Sequence, residues 1–73
     1  MAKQEVESEV TGNVWKVLKS TGDSVAEGEV IMILESMKME IPVEAPGDGT
    51  LVSILAEPGD QVEEDQVVAV IEI

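Results

Sequence analysis

The chain has 73 residues, 16 acidic side chains against four lysines, a net charge of −12, and neither cysteine nor histidine. This excludes disulfide and thiol chemistry and removes the commonest general base and metal ligand. It also opposes binding to nucleic-acid phosphates or anionic membrane surfaces and, through self-repulsion, favours a monomer that meets electropositive partners.

In chain order, residues 1–10 come first and are ambiguous. Val6 and Val10 have helical spacing, yet Val6-Glu7-Ser8-Glu9-Val10 also suits a strand. Val14, Val17 and Leu18 follow, then Val25, then the run Val30-Ile31-Met32-Ile33-Leu34. These short β-branched or apolar segments are separated by Gly-Asp and Glu-Gly pairs, which is turn chemistry between strands. After Glu35-Ser36-Met37-Lys38-Met39-Glu40 come Ile41-Pro42-Val43, the turn Pro46-Gly47-Asp48-Gly49, and the strand pattern Leu51-Val52-Ser53-Ile54-Leu55. Val62 and Val67-Val68-Ala69-Val70-Ile71 close the series. No segment sustains helical periodicity with caps. No apolar run approaches the roughly 20 residues of a membrane span. The polar start Met-Ala-Lys-Gln-Glu lacks the apolar core of a signal peptide, so a cytoplasmic location is expected.

An internal repeat organises these elements. Gly22-Asp23-Ser24-Val25-Ala26-Glu27 aligns with Gly59-Asp60-Gln61-Val62-Glu63-Glu64, an offset of 59 − 22 = 37. The same offset pairs Gly12 with Gly49, Leu18 with Leu55, Val30 with Val67 and Glu35 with Glu72. Solenoid arrays need at least three copies to bury a core, so two copies read as a duplicated domain with approximate two-fold symmetry. One domain is expected over residues 1–73, with halves of about 4–36 and 41–73. Val6 then maps to Val43, in a segment too short and proline-bearing for a helix, and both are expected in edge strands. Short strands with a turn about every eight residues suggest a small sandwich or flattened barrel.

The offset also locates Lys38. It maps to position 1, and Ile73 maps to Ser36, so Lys38 is expected on a tight hairpin at one end of the domain, opposite the end where the termini meet. This hairpin lacks Gly, Asn, Asp and Pro, against the usual two-residue turn chemistry. Positive φ at Met37 and Lys38 would cost of order 1–3 kcal/mol, a reason to suspect that the side chains matter. Met37 and Met39 could fill core gaps, but strand alternation around the hairpin favours exposure. Trp15 is expected to pack against the sandwich rather than stack on a ligand. Glu63-Glu64-Asp65 lacks the ligand spacing of a calcium loop, and no metal site is expected. Asp65 stands where the first half has Gly28, which merely allows a different turn there.

Gly22-Asp23-x-Val25-x-Glu27-Gly28-x-Val30, Glu35-Ser36-Met37-Lys38-Met39 and Ala45-Pro46-x-x-Gly49 together resemble the biotinyl/lipoyl attachment domain. The resemblance runs from about Val6 to Ile73. It implies an all-β flattened barrel of two four-stranded antiparallel sheets, with biotin joined by an amide to Lys38. It also implies that a biotin protein ligase reads the flanking Glu35, Ser36, Met37 and Met39, and that the arm serves biotin carboxylase and carboxyltransferase partners. Ser36 departs from the family's more frequent Ala. No insertion between Gly28 and Lys38 resembles the thumb of some carriers, so the chain looks like a short standalone attachment protein or an excised carrier domain.

An unperturbed lysine has a pKa of about 10.4, so only about one amine in a few thousand is neutral at pH 7. A ligase must therefore supply both the deprotonating environment and an activated acyl donor, biotinyl-adenylate in this family. With no base and no closed pocket of paired catalytic groups, the chain reads as a non-catalytic cofactor carrier. The alternatives are a lipoyl carrier of a 2-oxo acid dehydrogenase-type system, a dual biotin/lipoate acceptor, and an unmodified adaptor module on the same barrel. Lipoyl domains usually place Asp before the lysine and Ala after it, against Met37 and Met39 here.

Overall fold

The short apolar runs become eight strands in the computed structural model, which describes residues 2–73. Met1, the position that the offset of 37 pairs with Lys38, lies outside the described residues. The strands are β1 (Lys3–Glu7), β2 (Gly12–Val17), β3 (Ser24–Val25), β4 (Val30–Ser36), β5 (Met39–Glu44), β6 (Gly49–Ile54), β7 (Gln61–Val62) and β8 (Val67–Glu72). Among the described residues there is no helix, and none long and apolar enough to cross a membrane.

Two four-stranded antiparallel sheets form, ordered β1-β8-β6-β3 and β5-β4-β2-β7. Advancing each strand by four turns one order into the other, which is the two-fold relation that the offset of 37 predicts. The copies interlock. β1 and β3 of the first half complete the sheet of β6 and β8, while β5 and β7 of the second complete that of β2 and β4. β1 and β5 are edge strands, as expected from Val6 and Val43, and Pro42 sits on such an edge, where a missing ladder donor is tolerated.

Even the irregularities are duplicated. A register shift at Val14/Lys16 against β4 recurs at Leu51/Ser53 against β8, and the shift at Val6/Glu7 recurs between Val30 and Met32 opposite β5. The buried residues match in the same way: Val6 with Val43, Val14 with Leu51, Val25 with Val62, Ile31 with Val68, Met32 with Ala69, Leu34 with Ile71. The strand alternation points one set of each copy inward, and the two sets form one core between the sheets.

The turn at Asp65 keeps the first-half conformation: its φ is 70°, against 83° at Gly28, so both loops use the same left-handed position. Asp tolerates that region better than most side chains. Trp15 is the bulged residue between Val14 and Lys16 and is 43% exposed, so it packs only partly on the sandwich. Alternation past buried Val14 already turns it outward, and the bulge leaves Lys16 exposed beside it before Val17 turns back to the core.

Lys19 and Glu29 form the only ion pair among the described residues, tying the β2–β3 loop to the start of β4. The hydrogen bond to Lys19, and a second from the Ala26 N–H, hold the Glu29 carboxyl below its usual range. The Glu29 hydrogen bond raises the Lys19 amine. Glu29's contribution is thus present above the unfolded carboxylate pKa of about 4.3 and lost as pH falls through the lower folded value. The stability difference between wild type and Lys19→Met should therefore be positive at pH 7 and shrink in acid, measured by urea titration at a series of pH values. A pH-independent difference would show that the pair contributes nothing electrostatic.

Candidate functional site

Strands β4 and β5 run in register to the tip of their hairpin, with Leu34 facing Ile41, Glu35 facing Glu40 and Ser36 facing Met39. Only Met37 and Lys38 lie between the last pair. Their φ angles are 51° and 67°, the left-handed pair of a type I′ turn. Such turns usually use Asn-Gly because L side chains crowd there. The flanking strands, hydrogen-bonded on both sides of β4, hold two long side chains in this conformation.

The turn displays its side chains outward. Met37 is 91% exposed and Met39 59%, whereas Met32 on the same strand pair is fully buried. Lys38 is exposed at the apex and makes no ion pair among the described residues. Glu35 is exposed; Ser36 is half-buried, and its Oγ donates to the Thr11 carbonyl at 2.8 Å. That bond ties the hairpin to the β1–β2 loop, and Thr11 Oγ1 in turn accepts from the Glu64 N–H. The five residues singled out in the sequence, Glu35 through Met39, are therefore brought together at one tip.

Sequence reasoning misses two supports. Thr11 carries no signal beyond being a polar turn residue. Gly12 is visible as one of the repeated glycines, but its purpose is not. A Cβ on Gly12 would collide with the Glu35 carbonyl, and one on Gly49 would collide with the Glu72 carbonyl. Glycine is needed at both because β2 and β6 approach neighbouring backbone closely there.

The tip offers an amine and little else. Among the described residues no acid cluster could hold a metal ion. The depressions lined by Val17, Ile54 and Pro58, and by Lys3, Val52 and Val70, do not include Lys38. A projecting primary amine without a neighbouring base suits modification by an external enzyme.

Residues 3–72 match the family model described as biotin-requiring enzyme. The chain is 48% identical over 44 residues to a biotin/lipoyl attachment protein of Bacillus subtilis, a match covering 60% of each chain. It is 45% identical over 42 residues to the biotinylated protein TB7.3 of Mycobacterium tuberculosis, covering 58% of this chain and 59% of that one. The matched segment thus spans about 60% of the length of these curated relatives. The fold superposes on the Kluyveromyces lactis urea carboxylase with a TM-score of 0.93 and 39% identity, over 99% of this chain and 6% of that one.

Two stability predictions come from the tip. Met37→Gly should raise the unfolding free energy by about 0.5–1 kcal/mol, since glycine relieves the left-handed strain. A thermal midpoint that falls would show that the turn is unstrained. Gly12→Ala should cost about 1–3 kcal/mol, because the new methyl must displace the Glu35 carbonyl. A midpoint unchanged within error would refute that close approach.

Proposed function

The chain belongs to the biotin/lipoyl attachment family, and from that membership we propose that it is a biotin carboxyl carrier acylated at Lys38. The single observation that carries this reading is the placement of Lys38 at the exposed apex of a strained turn between two exposed methionines. The fold does not need those side chains there, and a modifying enzyme does. In the acylation, the neutral Nζ attacks the carboxyl carbon of an acyl-adenylate. The amide C–N bond forms, the bond from carbon to the phosphate oxygen breaks, and the amine proton leaves to a base on the ligase.

The tip fits an amide-linked biotin. Lys38 is exposed, and acylation removes its charge without stranding a buried partner, since no ion pair is broken. When bound, biotin supplies a ureido nitrogen that carries a carboxylate between a biotin carboxylase and a carboxyltransferase. The chain's own residues provide the tether, whose value is a high effective concentration at two sites. Glu35, Ser36, Met37 and Met39 act as the surface a biotin protein ligase reads. Ser36 also fixes the hairpin's angle through Thr11. The chain makes and breaks no bonds itself. A lipoyl reading on the same lysine has one support, the joint biotin/lipoyl name of the Bacillus subtilis relative.

Incubation with a biotin protein ligase, ATP and biotin should add one biotinyl mass, mapped by fragmentation to Lys38. Lys38→Arg should fold normally and take up none, since arginine keeps the charge but does not form the amide. Label appearing on Lys16 or Lys19 in that variant would sink the assignment. Replacing Met37 with Asp and Met39 with Ala should shift acceptance from biotin toward lipoate. An unchanged ratio of the two adducts would show that the flanking methionines do not encode the choice.

A further inference from the structure

The duplication supplies an internal reference for the surface as well as the core. Inward-facing positions are apolar in both copies, whereas outward-facing Trp15, Glu40 and Pro42 stand where the duplicates are Val52, Lys3 and Glu5. In β4, buried Leu34 alternates with Ile33 and Glu35, which therefore face out. Their cross-strand partners are Lys16 and Pro42 for Ile33, and Asn13 and Glu40 for Glu35. Trp15 emerges beside Lys16 at the bulge. The outer face of the Lys38-bearing sheet thus carries apolar Trp15, Ile33 and Pro42 with Lys16 among them, and Glu35 and Glu40 toward the hairpin. At the equivalent positions the other sheet carries Val52, Val70 and Glu5, with Glu72 and Lys3.

Two independent differences mark the hairpin face. Glu35 faces Glu40 in register, whereas the duplicate pair is Glu72 facing Lys3. Like charges directly opposite destabilise a sheet and opposite charges stabilise it, so the copy bearing the hairpin holds the worse pair. Separately, the chain's only aromatic residue stands 43% exposed where the duplicate has Val52, which lines a shallow depression with Lys3, Glu5, Ser53 and Val70. Neither feature is required to build the sheet, because the duplicate sheet is built without it. The Lys16 ammonium lies 4.5 Å over the Trp15 ring, a cation–π contact.

We propose that this outer face is the docking surface for the enzyme that acylates Lys38, and that this partner offers an apolar cleft for Trp15 rimmed by cations facing Glu35 and Glu40. The proposal rests on the acylation reading and extends it to two residues outside the hairpin motif, Trp15 and Glu40. This face is continuous with the hairpin. Trp15 lies four to five strand positions from Lys38, about 15 Å, well inside an interface burying about 800 Å² per partner. Exposed Trp is the side chain best suited to anchor such an interface. The unfavourable Glu35–Glu40 pair is relieved when a cation arrives, and the −12 chain steers that cationic surface in.

The test exchanges residues for their own duplicates. Trp15→Val and Glu40→Lys alter the proposed face, and Val52→Trp and Lys3→Glu make the mirrored changes on the other. Ligase turnover is measured on each as kcat/KM, at low and physiological salt, alongside thermal midpoints. Trp15→Val and Glu40→Lys should each lose about tenfold, through KM, with the Glu40→Lys loss shrinking at higher salt. Glu40→Lys should at the same time raise the thermal midpoint, a split that a purely structural role does not give. The mirrored variants should stay within twofold of wild type. The proposal is overturned if either face variant stays within twofold, or if the mirrored variants lose as much. Wild-type protein that takes no biotin at Lys38 would instead overturn the acylation reading, and this inference with it.

Discussion

Cross-pairing between the two copies is the constraint on which everything else rests. Neither half closes a sheet alone: β2 and β4 need β7 and β5, and β6 and β8 need β3 and β1. The core between the sheets is assembled from matched residues of both copies, such as Leu34 with Ile71 and Val14 with Leu51. A chain of 73 residues has little apolar surface to bury. Interlocking makes each short strand contribute to a core that its own half cannot form. It also explains how two-residue strands such as β3 and β7 persist, each paired to a longer strand of the other copy.

That framework is what permits a costly turn. Met37 and Lys38 both take left-handed φ angles, which neither residue prefers. The strain is held because β4 is paired on both sides, β5 is locked to it through the Ser36–Met39 closure, and Ser36 reaches across to Thr11. The result is a hairpin fixed by several contacts that holds Lys38 exposed at its apex. In the proposed carrier role, such a support would place the base of the arm reproducibly.

Much of this is legible in the sequence because duplication leaves a ruler. The offset of 37 locates the strands, makes Val6 and Val43 equivalent, and places Lys38 at a hairpin from residue order alone. What escapes are features with no compositional mark. The bulge at Trp15 looks like an ordinary β-branched and aromatic run, so nothing marks that Trp15 and Lys16 are both exposed in succession after buried Val14. Gly12 and Gly49 stand out as a repeated pair, but a collision with the carbonyls of Glu35 and Glu72 exists only once the strands are adjacent. Asp65 differs from Gly28 in its side chain, whereas the loop selects backbone conformation, and Asp there copies Gly28.

The two copies also separate what the fold requires from what it merely tolerates. Where both copies agree, at the core, the bulges and the close-approach glycines, the common cause is the barrel. Where they disagree, the barrel accepts either residue, so its packing does not dictate the choice. Glu40 opposite Glu35 is the clearest case. Its duplicate shows that lysine fits the same register, and lysine would make the better pair within the chain. A residue that is worse for the isolated protein, next to the one lysine held up by a strained turn, is most simply explained by a surface that meets both together.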